Sequence, residues 1–219
     1  MVTFVAAVNV LLASVLVVPG AAREGKPVRI VAFGDSLTAG FGLAPADAFP
    51  AQLERALKAA RQNVEVANGG VSGDTTGRAL TRLDWAVPDG TDAVIVALGA
   101  NDMLTGLPIE RARANLEAIV TRLKARGIEV LIVGMRASRN LGDEYANAFD
   151  AIYPSLAEKH GLVLYPFFLA GVALDPKLNL ADGIHPSGAG IAVIVERMLP
   201  TVGKLIERVE ARRTASGRG

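Results

Sequence analysis

Ser36, in the run Val31–Gly40 (VAFGDSLTAG), and the pair Asp182 and His185, in the run Asp-Gly-Ile-His-Pro, are the residues whose types and spacing could do nucleophilic chemistry. A serine hydroxyl is a weak nucleophile until a base takes its proton. The chain has two histidines. His160 precedes Gly161 at an expected helix C-terminus, where a structural place near the negative end of the dipole suits it. His185 follows Asp182 by three residues in a Gly-containing turn, and Pro186 biases it away from helical geometry. Such a turn brings the carboxylate back to one ring nitrogen, which fixes the tautomer and stabilises the imidazolium formed when the other nitrogen takes a proton. Plainer readings stand beside these: Ser36 as a turn residue ending a strand, and Asp182 as an Asx turn. A metal site on His185 lacks a second histidine or a carboxylate cluster to complete it, so no metal is expected.

Attack on a carbonyl makes an oxyanion, which needs donors already aimed at it. Three donors offer themselves: the Ser36 backbone N–H, the Gly73 N–H in Asn68–Thr75 (NGGVSGDT), and the Asn101 amide in Gly99–Asp102 (GAND). Gly73 could equally be a turn glycine, and Asn101 a helix N-cap. The order Ser…Asp…His matches one arrangement of the triad, but Ser36 lacks the G-x-S-x-G elbow, with Asp35 and Leu37 beside it and Thr38 where that elbow needs glycine. GDSLTAG also lacks the Gly-Lys-Ser/Thr of a Walker A loop.

These clusters need elements to bring them together. Short apolar runs read as strands at Val28–Phe33, Val64–Ala67, Ala93–Leu98, Glu129–Met135 and Leu162–Leu164. Helices are expected at Phe49–Arg61, Thr75–Trp85, Pro108–Arg126 and Gly142–His160, with a final helix from Ser187 interrupted by Pro200. Strands alternating with helices of that length indicate an α/β fold, a parallel sheet wrapped by helices. The four polar clusters then fall at the carboxyl ends of the strands, the edge where such sheets bind ligands.

Residues 1–22 carry no charge, Val10–Val18 is nearly all apolar, and Pro19-Gly20-Ala21-Ala22 supplies a break and small residues. This stretch reads as a signal peptide, although a positively charged start is missing; an uncleaved anchor is the alternative. A single domain over 27–210 and a frayed polar tail over 211–219 complete the organisation. The 23 basic residues balance 22 acidic ones and aromatics make up 5%, so neither nucleic acid nor an anionic membrane surface is an expected partner. No stable membrane insertion of the mature chain is expected. The chain has no cysteine, which excludes disulfides and thiolate chemistry.

The blocks Gly34–Leu37, Asn68–Gly73, Gly99–Asp102 and Asp182–His185, in this order, resemble those of the SGNH, or GDSL, hydrolases, over nearly all of Val28–Pro200. VSGDTT, NAFDAIYPSLA, YPFF and DGIHP place the resemblance nearest the exported bacterial branch of thioesterases, lysophospholipases and arylesterases. The resemblance implies a flavodoxin-like three-layer α/β/α sandwich around a parallel five-stranded sheet. It implies Ser36 as nucleophile, His185 as base and acid, Asp182 as orienter, and Ser36, Gly73 and Asn101 as the oxyanion hole. It further implies hydrolysis of small-molecule esters through an acyl-serine, with no cofactor, and export to the periplasm or beyond. In such relatives the loop matching Met135–Gly142 borders the acyl chain and usually carries proline. Ser138, Arg139 and Asn140 stand there here and are the substrate-loop candidates. A carbohydrate acetyl esterase is a competing reading, for which one Trp and three Tyr offer few sugar-stacking surfaces; a non-catalytic binding module is another.

Overall fold

All five apolar runs pair into one sheet in the computed structural model, which describes residues 25–216. The expected signal peptide and residues 217–219 lie outside the described residues. The strands are β1 (Val28–Gly34), β2 (Val64–Gly70), β3 (Ala93–Ala97), β4 (Glu129–Val133) and β5 (Val163–Tyr165). Their order is β2-β1-β3-β4-β5, with every pairing parallel. This is the flavodoxin-like order, and its switch point lies where the chain leaves β1 and β3. All of β3 and nearly all of β1 and β4 are buried, which explains runs without polar alternation; β2, at the edge, is buried only at Val64 and elsewhere partly or fully exposed.

Helices cover the sheet in two layers. One holds α2 (Phe49–Ala59) against α9 (Gly188–Ser216); the other holds α3 (Thr76–Thr81), α6 (Ile109–Ala125) and α8 (Ile152–His160). Phe49, Leu53 and Leu57 on α2, and Leu116, Ile119, Val120 and Leu123 on α6, bury the stripes that periodicity predicts. Short helices α1 (Ser36–Ala39), α4 (Leu83–Ala86), α5 (Ala100–Leu104) and α7 (Asp143–Asp150) complete the set.

Four expectations need correction. The helix expected over Gly142–His160 is two, parted at Ala151. Pro154 has no N–H to offer the Asp150 carbonyl, so it fits the first turn of a new helix and not the interior of an old one. The helix expected over Thr75–Trp85 likewise divides at Arg82 (φ −105°, ψ 6°) into α3 and α4. Conversely, α9 runs through Pro200 without a break. Met198, Val202, Leu205 and Ile206 are all buried on the flanking turns, and their packing outweighs a cost of about 3 kcal/mol for an interior proline. Nor do residues 211–216 fray: they extend α9, where Arg212 donates to the Asp92 carbonyl and Arg213 to the Lys26 and Pro27 carbonyls and the Asp92 carboxylate.

Candidate active site

The chain leaves β1 through Gly34 and turns at once into α1. Asp35 caps that helix, its Oδ1 accepting from the Leu37 N–H at 3.0 Å. Ser36 therefore occupies the first helical position, partly open to solvent, at the carboxyl end of the strand beside the switch point. On the neighbouring edge strand Gly70 lets this turn sit close, since a Cβ there would lie 2.3 Å from the Ala39 nitrogen.

Asp182 and His185 come from the long loop between β5 and α9. The Leu180 N–H donates to the His185 carbonyl at 2.7 Å and the Ser187 N–H to the Leu178 carbonyl at 2.8 Å, while buried Asn179 donates from Nδ2 to the Val172 and Asp175 carbonyls. Within this brace Asp182 Oδ1 accepts from the Ile184 and His185 N–H groups at 2.9 and 3.0 Å. Those backbone donors, first, and the imidazole, next, stabilise the carboxylate and lower its pKa to about 2. An ionised carboxylate only accepts, so His185 Nδ1 carries the proton it donates to Asp182 Oδ2 at 2.7 Å. Nε2 is then the acceptor for the Ser36 hydroxyl, at 2.9 Å. The Phe41 ring lies over the imidazole, with centroids 4.5 Å apart.

Gly73, at φ +82° with open space where a Cβ would be, lies in the loop after β2. Asn101 is inside α5, whose N-cap is Gly99, so the N-cap reading of Asn101 does not hold. One Asn101 Nδ2 hydrogen donates to the Asp74 carbonyl at 2.9 Å, which leaves the second free. Ser138, Arg139 and Asn140 are exposed in the loop after β4. Arg139 turns to α7, donating to Asn147 at 2.9 Å and Asp150 at 2.8 Å, so its charge braces the loop. None of these three has a hydrogen bond to Ser36, Asp182 or His185 among the described residues. His160 ends α8 at the opposite edge of the sheet, 3.5 Å from Glu117 Oε1.

Sequence reasoning passed over two residues beside the site. Asp102 is buried, and takes the Thr76 N–H and hydroxyl at 2.8 and 2.6 Å, tying α5 to the start of α3. Its signal was a carboxylate one residue beyond Asn101 in an otherwise apolar turn. Asp35 is the other. Burial pushes its carboxyl up to about 7, against a partial lowering by the Leu37 N–H. The folded state thus holds a proton that the unfolded chain releases near 3.8. Unfolding free energy consequently falls as pH rises from about 4 to about 7. Asp35→Asn keeps the capping oxygen and removes that proton. Denaturant titrations should find a flatter pH dependence for the variant across this window and a gain over wild type of a few kcal/mol at pH 7, on the order of 1.4 kcal/mol per pKa unit. Parallel curves would refute it.

Residues 32–193 match the GDSL-like lipase/acylhydrolase family. The chain is 39% identical over 159 residues to an arylesterase of Vibrio mimicus, covering 72% of this chain and 80% of that protein. It is 33% identical over 196 residues to esterase TesA of Pseudomonas aeruginosa, covering 89% and 96%. The crystal structure of AlinE4, an SGNH-hydrolase family esterase, superposes with a TM-score of 0.70 at 45% identity, covering 82% of this chain and 97% of that one.

Proposed function

The chain belongs to the GDSL-like lipase/acylhydrolase family and is a carboxylic ester hydrolase, and we propose that Ser36 is its nucleophile, His185 its general base and acid, and Asp182 the carboxylate that holds His185. The observation that carries this reading is the unbroken hydrogen-bonded line from Asp182 through His185 to Ser36.

In the first half-reaction His185 Nε2 takes the Ser36 proton as Oγ bonds to the ester carbonyl carbon. The carbonyl oxygen becomes an anion facing the Ser36 and Gly73 N–H groups and the free Asn101 hydrogen. His185 then gives its proton to the departing alcohol oxygen as the C–O bond breaks, leaving an acyl-serine. Water repeats the cycle, its proton passing to His185 and then back to Ser36 as the acid departs.

Phe41, Val71, Leu104, Leu141, Leu174 and Ile184 are exposed apolar side chains on segments leaving the carboxyl ends of the strands. Such a rim suits esters with apolar acyl or aryl parts, short acyl and aryl esters first, with thioesters and lysophospholipids as further substrates. Ser138, Arg139 and Asn140 border the acyl side, with Arg139 holding the loop in place. The uncharged first 22 residues support export, to the periplasm or beyond.

Hydrolysis of p-nitrophenyl acetate, p-nitrophenyl palmitate and palmitoyl-CoA by wild type and Ser36→Ala tests the proposal. A large loss of turnover in Ser36→Ala is expected, with acetate ahead of palmitate in the wild type; equal rates in both proteins refute it. The Phe41 ring should add to the same chemistry, since an aromatic face over the imidazole favours the imidazolium that forms in each half-reaction. Phe41→Leu, which keeps bulk without a ring, is expected to lower kcat by about 3–10-fold, and Phe41→Tyr to restore it. An unchanged kcat in Phe41→Leu would remove the ring from the mechanism.

A further inference from the structure

We infer that Arg82 is a positioning residue for the oxyanion hole: one guanidinium sets the spacing of the three donors that stabilise the tetrahedral intermediate. The inference rests on the assignment of Ser36, Gly73 and Asn101 to that hole and extends it to a residue that touches no substrate.

Arg82 sits where the helical run divides into α3 and α4, and its side chain reaches back to the carboxyl ends of β1 and β2. Nε donates to Asp74 Oδ2 at 2.6 Å, Nη1 to the Gly69 carbonyl at 2.9 Å, and Nη2 to the Gly34 carbonyl at 2.9 Å. Its Cζ lies 4.5 Å from the centre of the Phe33 ring. All three nitrogens are therefore committed, each to a different segment.

The contacts to Gly34 and Asp74 lead to the three donors. Gly34 is two residues before Ser36, on the rigid turn from strand to helix. Asp74 directly follows Gly73, so holding its carboxylate limits where the Gly73 N–H points. The Asp74 carbonyl accepts from Asn101 Nδ2, which orients the amide and leaves its second hydrogen for the oxyanion. The Val71 N–H also donates to the Gly34 carbonyl, closing the loop between β1 and the Gly73 segment. No helix turn or strand ladder links Ser36 N, Gly73 N and Asn101 Nδ2 directly. Arg82 is the shared point of all three routes.

The chemistry of the side chain fits this task. The Arg82 and Asp74 side chains are only 15% and 8% exposed, and removing a charged pair from water is costly unless every polar atom finds a partner. An apolar residue on Phe33 would fill the same space without that cost. A planar fork holds three acceptors at fixed mutual angles, which the single ammonium of lysine does not. Preorganised donors matter because misplacing one forfeits most of its worth in the transition state.

The test is a double-mutant cycle between Arg82 and Asn101, with kcat and KM on p-nitrophenyl acetate, thermal midpoint and the pH profile of kcat read for each variant. Arg82→Met is expected to lower kcat by about 10²-fold with KM little changed and the acid limb of the profile unmoved. Arg82→Lys, which keeps the charge, should still lose about 10-fold or more, because one ammonium cannot serve all three acceptors. In an Asn101→Ala background the Arg82→Met loss should be smaller than in wild type without vanishing, because Arg82 acts on Asn101 and also on the Ser36 and Gly73 N–H groups. Losses that multiply fully in the double variant, a loss confined to KM, or wild-type kcat in a folded Arg82 variant would each overturn the inference. Where Arg82→Met does not fold, the same cycle with Arg82→Lys decides. Ser36→Ala separates the two levels: if it is inactive while Arg82 variants keep full kcat, only this inference fails. If Ser36→Ala itself turns over normally, the assignment of the hole fails with it.

Discussion

Ser36→Ala is expected to lower kcat on p-nitrophenyl acetate by about 10⁴–10⁶-fold, the range seen when a serine nucleophile is deleted from a preassembled triad. Ser36 Oγ donates to His185 Nε2 at 2.9 Å, and no other described side-chain hydroxyl donates to that ring. Without Oγ, the base has only water to activate. The backbone donors proposed for the oxyanion hole survive the substitution, because the Ser36 N–H belongs to the main chain and Asp35 still caps α1. What remains should therefore exceed the uncatalysed rate by about 10³-fold. KM should move little, since the rim side chains are untouched. Stability should stay within about 0.5 kcal/mol, as a partly exposed hydroxyl leaves. His185→Ala alone should cost nearly as much, and the double variant no more than either, because the two act as one unit. Additive losses would mean that Ser36 and His185 serve different steps.

Much of this site can be read from the chain before any coordinates. The interval Asp182-Gly-Ile-His185 is local, and a three-residue turn that returns a carboxylate to an imidazole leaves a recognisable spacing. Ser36, Gly73 and Asn101 each follow an apolar run, and a parallel sheet takes such positions to one edge. The residues that were hidden are those whose partners are remote. Arg82 meets Gly34 and Gly69 across 48 and 13 positions, and in isolation its surroundings have the composition of a plain surface helix. Asp102 meets Thr76 across 26 positions, with no periodic pattern to announce it. The helix boundaries went wrong for a different reason. Pro154 and Pro200 look alike locally, yet one opens α8 and the other is carried through α9, where buried Val202, Leu205 and Ile206 hold the helix to the sheet. Propensity is local and packing is not; the longer and more deeply buried helix overrode its proline. Arg139 illustrates the same limit in the substrate loop: its position makes it a candidate there, while its partner Asp150 at the end of α7, eleven residues on, has no local signature.

Asp182→Asn is expected to lower kcat by about 10⁴-fold while leaving the fold intact. Two backbone donors, Ile184 N–H and His185 N–H, point at the oxygen that is Oδ1. In the variant they select the amide oxygen for that position and send the NH₂ group to where Oδ2 now stands, 2.7 Å from His185 Nδ1. A donor there requires Nδ1 to accept, so the ring proton moves to Nε2. Nε2 then donates toward Ser36 and can no longer take its proton. The loss is one of tautomer, with each atom almost where it was. In the wild type this failure has no counterpart at working pH, because the carboxylate titrates at about 2. The sign for stability follows from the same depression. Asp182 contributes above its unfolded value of 3.8, and that contribution disappears as pH falls toward about 2. The variant should therefore lack that part of the wild-type acid sensitivity, with a thermal midpoint below wild type near neutrality that converges on it as pH falls toward about 2. Nitrogen chemical shifts of the His185 ring read the tautomer directly: a protonated Nε2 in a folded, inactive variant is the expected result. Activity within about 10-fold of wild type, or an unchanged Nδ1–H, would place the orienting role elsewhere.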